Sequence, residues 1–86
     1  MIDKTVGSDF EADEVLDTSG QLCPLPIIKT AEKVKAMLPG TILEVISTDS
    51  GMEIDLPHWC NSQGHRYLGI RREGRTLRAF LRVETT

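Results

Sequence analysis

Two prolines one residue apart, Pro24 and Pro26, open a stretch whose apolar residues recur at helical spacing, and this fixes where a helix begins. Inside a helix a proline removes a backbone donor and clashes with the preceding turn; in the first turn neither cost applies. The spacing predicts a helix from Pro24 to about Leu38, with Ile27, Ile28, Ala31, Val34 and Leu38 as its apolar face. Lys29, Glu32, Lys33 and Lys35 fill the other face, and Pro39-Gly40 stops it. Cys23 stands directly ahead. A thiol at a helix start lies beside unpaired N–H groups and a partial positive charge of about half an elementary unit. The expectation is a Cys23 pKa below the free-thiol value of about 8.5.

The remaining elements follow from pattern. Glu14-Val15-Leu16-Asp17-Thr18 reads as a short strand, closed by Ser19-Gly20, and Thr41 to Ser47 as a β-branched strand. Ser50-Gly51-Met52-Glu53 has capping-box spacing, so a second helix is expected there. Its apolar contacts are Met52, Leu56 and Trp59; Pro57 should kink or divide it, and Gly64 should end it. His65–Arg72 and Thr76–Val83 read as a hairpin turning at Glu73-Gly74-Arg75. The order β-α-β-α-β-β has too few helices to cover both faces of a sheet. An α/β two-layer sandwich is expected, with a mixed four-stranded sheet and both helices on one face.

The 86 residues make one domain. Residues 1–13, with Asp3, Asp9, Glu11 and Asp13 and no apolar period, are expected to be a disordered acidic tail; residues 14–86 form the folded domain. A net charge of −3 argues against bulk nucleic-acid binding. No apolar run approaches the roughly 18 residues of a membrane span, and Met1 to Thr5 lack a signal-peptide pattern, so a cytoplasmic location is expected. In that compartment Cys23 and Cys60 should be free thiols.

Each remaining candidate has a structural and a functional interpretation. Cys60 reads as a core-facing cysteine beside Trp59, one turn after Leu56, with a second reactive thiol as the alternative. His58, Cys60, His65 and Cys23 lack the paired spacing of a zinc site, so no metal and no cofactor are expected. Asp17 and Asp55 suit turns and caps, although a carboxylate close to Cys23 would raise its pKa. Lys29, Lys33 and Lys35 form a solvated helix face or steer an acidic partner. Arg71, Arg78, Phe80 and Arg82 keep an open sheet face soluble or contact RNA by stacking and phosphate pairing.

Taken together, Leu16-Asp17, Gly20 and above all Cys23-Pro24-Leu25-Pro26 resemble the TusA (SirA-like) family of sulfur-carrier proteins. So do Pro39-Gly40, Thr48-Asp49, Asp55-Leu56-Pro57, Trp59-Cys60 and Gly64-His65 downstream. The resemblance covers roughly residues 14 to 84. It implies the same two-layer fold, and a function in which Cys23 accepts sulfane sulfur as a persulfide and relays it to a partner thiol. Pro24 and Pro26 would support the thiol at the helix start, and Lys29 and Lys33 would dock partners. The implied partners are a sulfur donor, either a cysteine desulfurase or a rhodanese-type protein, and a thiol acceptor protein. The chain alone would be a monomer. Family roles include tRNA thiolation, molybdenum-cofactor supply and sulfur oxidation. The alternatives are a small RNA- or protein-binding module using the open sheet face, or a redox regulator oxidised at Cys23.

Overall fold

In the computed structural model, residues 11–84 are described. The strands are β1 (Glu14–Asp17), β2 (Ile42–Ser47), β3 (Arg66–Glu73) and β4 (Thr76–Arg82), and the helices are α1 (Leu25–Lys35) and α2 (Met52–Gln63). They follow the expected β-α-β-α-β-β order. The sheet order is β1-β2-β4-β3. β1 runs parallel to β2, and β4 pairs antiparallel with both β2 and β3, so the sheet is mixed as expected.

Strand periodicity decides what enters the core. Along β2, Leu43, Val45 and Ser47 are buried while Ile42, Glu44 and Ile46 are only partly covered. Leu77, Ala79, Leu81 and the following Val83 bury the matching side of β4. The helices close this layer with Val34 and the following Met37 from α1, and Met52, Leu56 and Cys60 from α2. Each large side chain fully buried here contributes about 1.5–3 kcal/mol. The β3–β4 turn needs only Gly74 and Arg75, because Glu73 pairs with Thr76; Gly74 supplies the positive φ of 63°.

Four local expectations are corrected. α1 begins at Leu25, with Pro24 as N-cap and Pro26 inside the first turn, and it ends at Lys35 rather than near Leu38. Its buried face is Pro26, Thr30 and Val34; Ile28 and Leu38 are exposed. The register turns because Thr30 can go inside: its hydroxyl donates to the Pro26 carbonyl at 2.7 Å, which satisfies the one polar group that burial would strand. Pro57 does not divide α2, which runs unbroken from Met52 to Gln63. Burial of Met52, Leu56 and Cys60 along one side of α2 outweighs the single backbone bond lost there. The capping box does not form, because Ser50 makes no side-chain cap and Glu53 pairs instead with Arg72 of β3.

The expected acidic tail lies outside the described residues over positions 1–10. Asp13, its last member, is tied to the sheet: its N–H donates to the Ile42 carbonyl and its carboxylate accepts the Ile42 N–H, both at 2.8 Å.

Candidate functional site

Two parallel strands followed by helices bring four element ends to one place. The C-terminal ends of β1 and β2 and the starts of α1 and α2 converge at the edge where an open α/β sheet places its ligand sites. Two loops meet there and are stitched together. The Thr18 N–H and hydroxyl both donate to the Ile46 carbonyl, at 2.7 and 2.6 Å. The Gly20 N–H donates to the Thr48 hydroxyl at 2.9 Å. The Cys23 N–H donates to the Asp49 carboxylate at 2.6 Å. The loop that delivers the cysteine is thus registered residue by residue on the loop after β2.

Asp49 is the centre of this arrangement. Its N–H donates to the hydroxyl of buried Ser47 at 3.0 Å, which fixes the turn out of β2. Its carboxylate accepts from Gly51, the N-cap of α2, at 3.1 Å, and from Cys23. These N–H bonds hold its pKa below the usual carboxylate range. Gly51 lies against the thiol: a β-carbon there would stand 3.7 Å from the Cys23 sulfur, in ordinary contact. Asp55, on the first turn of α2, is the second carboxylate facing the thiol.

Cys23 is partly buried, and its pKa is raised to about 11. Burial is the largest cause, followed by hydrogen bonding and charge from Asp49 and then Asp55. This overturns the expectation of a lowered value, and the reason is visible in the backbone. Leu25 donates to the Leu22 carbonyl, Pro26 has no N–H, and Ile27 and Ile28 both donate to the Pro24 carbonyl. The first turn of α1 therefore has no donor left for the sulfur. α2 has spent its first donors likewise, on the carbonyls of Asp49, Ser50 and Gly51. Where the helix starts offer about half a positive charge each, Asp49 brings a full negative one to the same spot. In the sequence this carboxylate stands out only as part of the Thr48-Asp49 pair that carries the family resemblance.

The other candidates separate. Cys60 lies fully buried against the core, and burial pushes its thiol up to about 12, in keeping with a structural cysteine. His65 stacks on Trp59 with ring centroids 5.3 Å apart, and its Nδ1 accepts the Glu84 N–H at 3.2 Å. His58 is exposed. Among the described residues no three His, Cys, Asp or Glu side chains gather to hold a metal. Asp17 caps a turn by accepting the Ser19 N–H at 2.9 Å. Lys33 pairs with Glu14 of β1 at 2.7 Å, while Lys29 is exposed.

The open sheet face does not offer the basic and aromatic platform of the alternative RNA reading. Arg78 bonds Glu44 at 2.7 Å and Glu73 at 2.9 Å, Arg71 pairs with Glu73, and Arg82 pairs with Glu84. Phe80 is buried at 3% exposure, so its ring is not presented for base stacking.

Fold and site together define a small α/β protein with a single partly exposed thiol clamped at the meeting of two helix starts. Residues 14–83 match the family described as Sulfurtransferase TusA, and the chain belongs to that family. It is 35% identical over 75 residues to Sulfur carrier protein TusA of Pseudomonas putida (strain GB-1), covering 87% of this chain and 94% of that one. It is 47% identical over 73 residues to YrkF of Bacillus subtilis (strain 168), covering 85% of this chain but only 40% of YrkF. It likewise spans only 36% of an Aquifex aeolicus relative. The SirA-like protein of Desulfitobacterium hafniense has the same fold, with a TM-score of 0.73 at 15% identity, over 84% of this chain and 99% of that one. No helix among the described residues is long and apolar enough to cross a membrane.

Proposed function

We propose that the protein is a sulfur carrier whose Cys23 takes up sulfane sulfur as a persulfide and hands it to a partner thiol. The observation that carries this is the placement of Cys23. It is the partly exposed one of the two thiols, and it is held by its own N–H at the convergence of two loops and two helix starts. The names of relatives, among them the Pseudomonas protein, support the same role.

In the proposed exchange the Cys23 thiol passes its proton to a facing carboxylate or to solvent. Its sulfur attacks the outer sulfur of a donor persulfide. The donor S–S bond breaks, its electron pair stays on the donor cysteine as thiolate, and the outer sulfur remains on Cys23. An acceptor thiolate then attacks that outer sulfur and Cys23 leaves as thiolate. A high thiol pKa makes thiolate scarce and makes Cys23 a slow leaving group. The slow departure suits a carrier that keeps its cargo between partners. Pro24 and Pro26 support the thiol by setting the start of α1, and exposed Lys29 remains a docking candidate. The partners are a donor of cysteine desulfurase or rhodanese type and a thiol acceptor protein, in a reducing compartment such as the cytoplasm. Incubation with inorganic polysulfide, followed by intact and peptide mass measurement, tests the role. One added sulfur on Cys23, removed by a thiol acceptor, is expected; an unloaded Cys23 would refute it.

A further inference from the structure

A cleft of about 340 Å³ lies beside the loop that carries the thiol, with Leu22, Thr48, Asp49, Ser50, Arg72 and Arg75 in its lining. Its size is at the low end for binding clefts. One wall is Leu22, 72% exposed and directly before Cys23 in the chain. Arg72 of β3 and Arg75 of the β3–β4 turn also line it. Arg72 is braced by Glu53 of α2, whereas Arg75 enters none of the ion pairs among the described residues. The only carboxylate in the lining, Asp49, has its oxygens committed to the Cys23 and Gly51 N–H groups.

We propose that this cleft receives the cysteine-bearing segment of a sulfur-exchanging partner protein, and that the segment carries an acidic side chain near its cysteine. The proposal rests on the carrier role of Cys23 and names the partner chemistry for that site. Charge complementarity decides the occupant. The cleft presents one braced guanidinium and one with no ion pair among the described residues, two hydroxyl-bearing residues and an apolar lip, in a molecule whose net charge is −3. A carboxylate entering between Arg72 and Arg75 would hold the segment so that its cysteine passes Leu22 and reaches the neighbouring thiol. Arg is the side chain whose planar fork suits such a carboxylate.

The test uses three short peptides, each with one cysteine activated as a 2-thiopyridyl mixed disulfide and flanked by two glutamates, two serines or two lysines. Cys23 attacks the peptide sulfur, the S–S bond breaks, and thiopyridone leaves and is read by absorbance. The overall negative charge and the carboxylates at the thiol would by themselves favour the lysine peptide. The expected result is the reverse: at low salt the glutamate peptide reacts about threefold or more faster than the serine peptide, and the advantage shrinks as salt screens it. Arg75→Gln should reduce that preference and Arg75→Glu should abolish it. A fastest lysine peptide in the unaltered protein, or a glutamate preference kept in Arg75→Glu, overturns the proposal. Polysulfide loading of Cys23 separates the two ideas. Normal loading without peptide preference refutes the cleft alone, and failed loading with the preference intact refutes the carrier role alone.

Discussion

The Asp49 carboxylate accepts the backbone N–H of Cys23 at 2.6 Å across 26 residues of sequence. This bond joins the loop after β1 to the loop after β2, and it puts a full negative charge beside the thiol. One side chain thus anchors the site and, after burial, does most to raise the thiol pKa.

Asp49→Ala should lower the melting temperature, because it strands the N–H groups of Cys23 and Gly51 and loosens both loops. It should also lower the Cys23 pKa. Thermal melts beside thiol titration check the pair. A lower melting temperature with an unchanged thiol pKa would remove Asp49 from the electrostatic account.

Cys23 should react slowly with iodoacetamide at neutral pH, its rate rising with a midpoint near pH 11. Asp55→Asn should move that midpoint down while keeping the fold, since Asp55 lies exposed on the first turn of α2. A midpoint at or below about 8.5 in the unaltered protein would mean that the helix starts win after all.

His65 titrates below its ordinary value, chiefly because burial disfavours its charged form, with Glu84 opposing. The unfolded chain therefore takes up the proton first. The stability this gives is fully present above the unfolded His value of about 6.5 and is lost as pH falls through the lowered folded value. Asp17, Asp49 and Glu73, all held below the usual carboxylate range, lose their contribution only in a lower, acidic window. Denaturant melts from pH 8 to 5 should show falling stability that disappears in His65→Phe.

Gly51→Ala should fold normally, because Gly51 is already in the right-handed helical region and the added methyl meets atoms no closer than 3.6 Å. The methyl also fills space beside the Cys23 sulfur, so alkylation and sulfur loading should slow severalfold. Unchanged rates would show that the exchanging sulfur approaches from another side.

Much of this was legible in the chain. The prolines locate the start of α1 to within one residue, and the alternation of Leu77, Ala79, Leu81 and Val83 with Arg78 and Arg82 marks the buried side of β4. The inward register of Thr30 was not legible, because a hydroxyl is counted as polar until its bond to the Pro26 carbonyl is known. Alternation places Phe80 on the open face beside Arg78 and Arg82, yet it reports direction along a strand and not what lies over it. The raised thiol pKa is not legible for a similar reason: local sequence predicts a helix start, while the burial of the thiol and the opposing charge of Asp49, far along the chain, are products of the fold.

The central claim is that sulfur is carried on Cys23. The most direct measurement is the mass of the protein, of Cys23→Ser and of Cys60→Ser after incubation with a cysteine desulfurase and cysteine. The account predicts one added sulfur on the unaltered protein and on Cys60→Ser, none on Cys23→Ser, and an unchanged fold in all three. Loading that persists in Cys23→Ser, or that is lost in a folded Cys60→Ser, would contradict it.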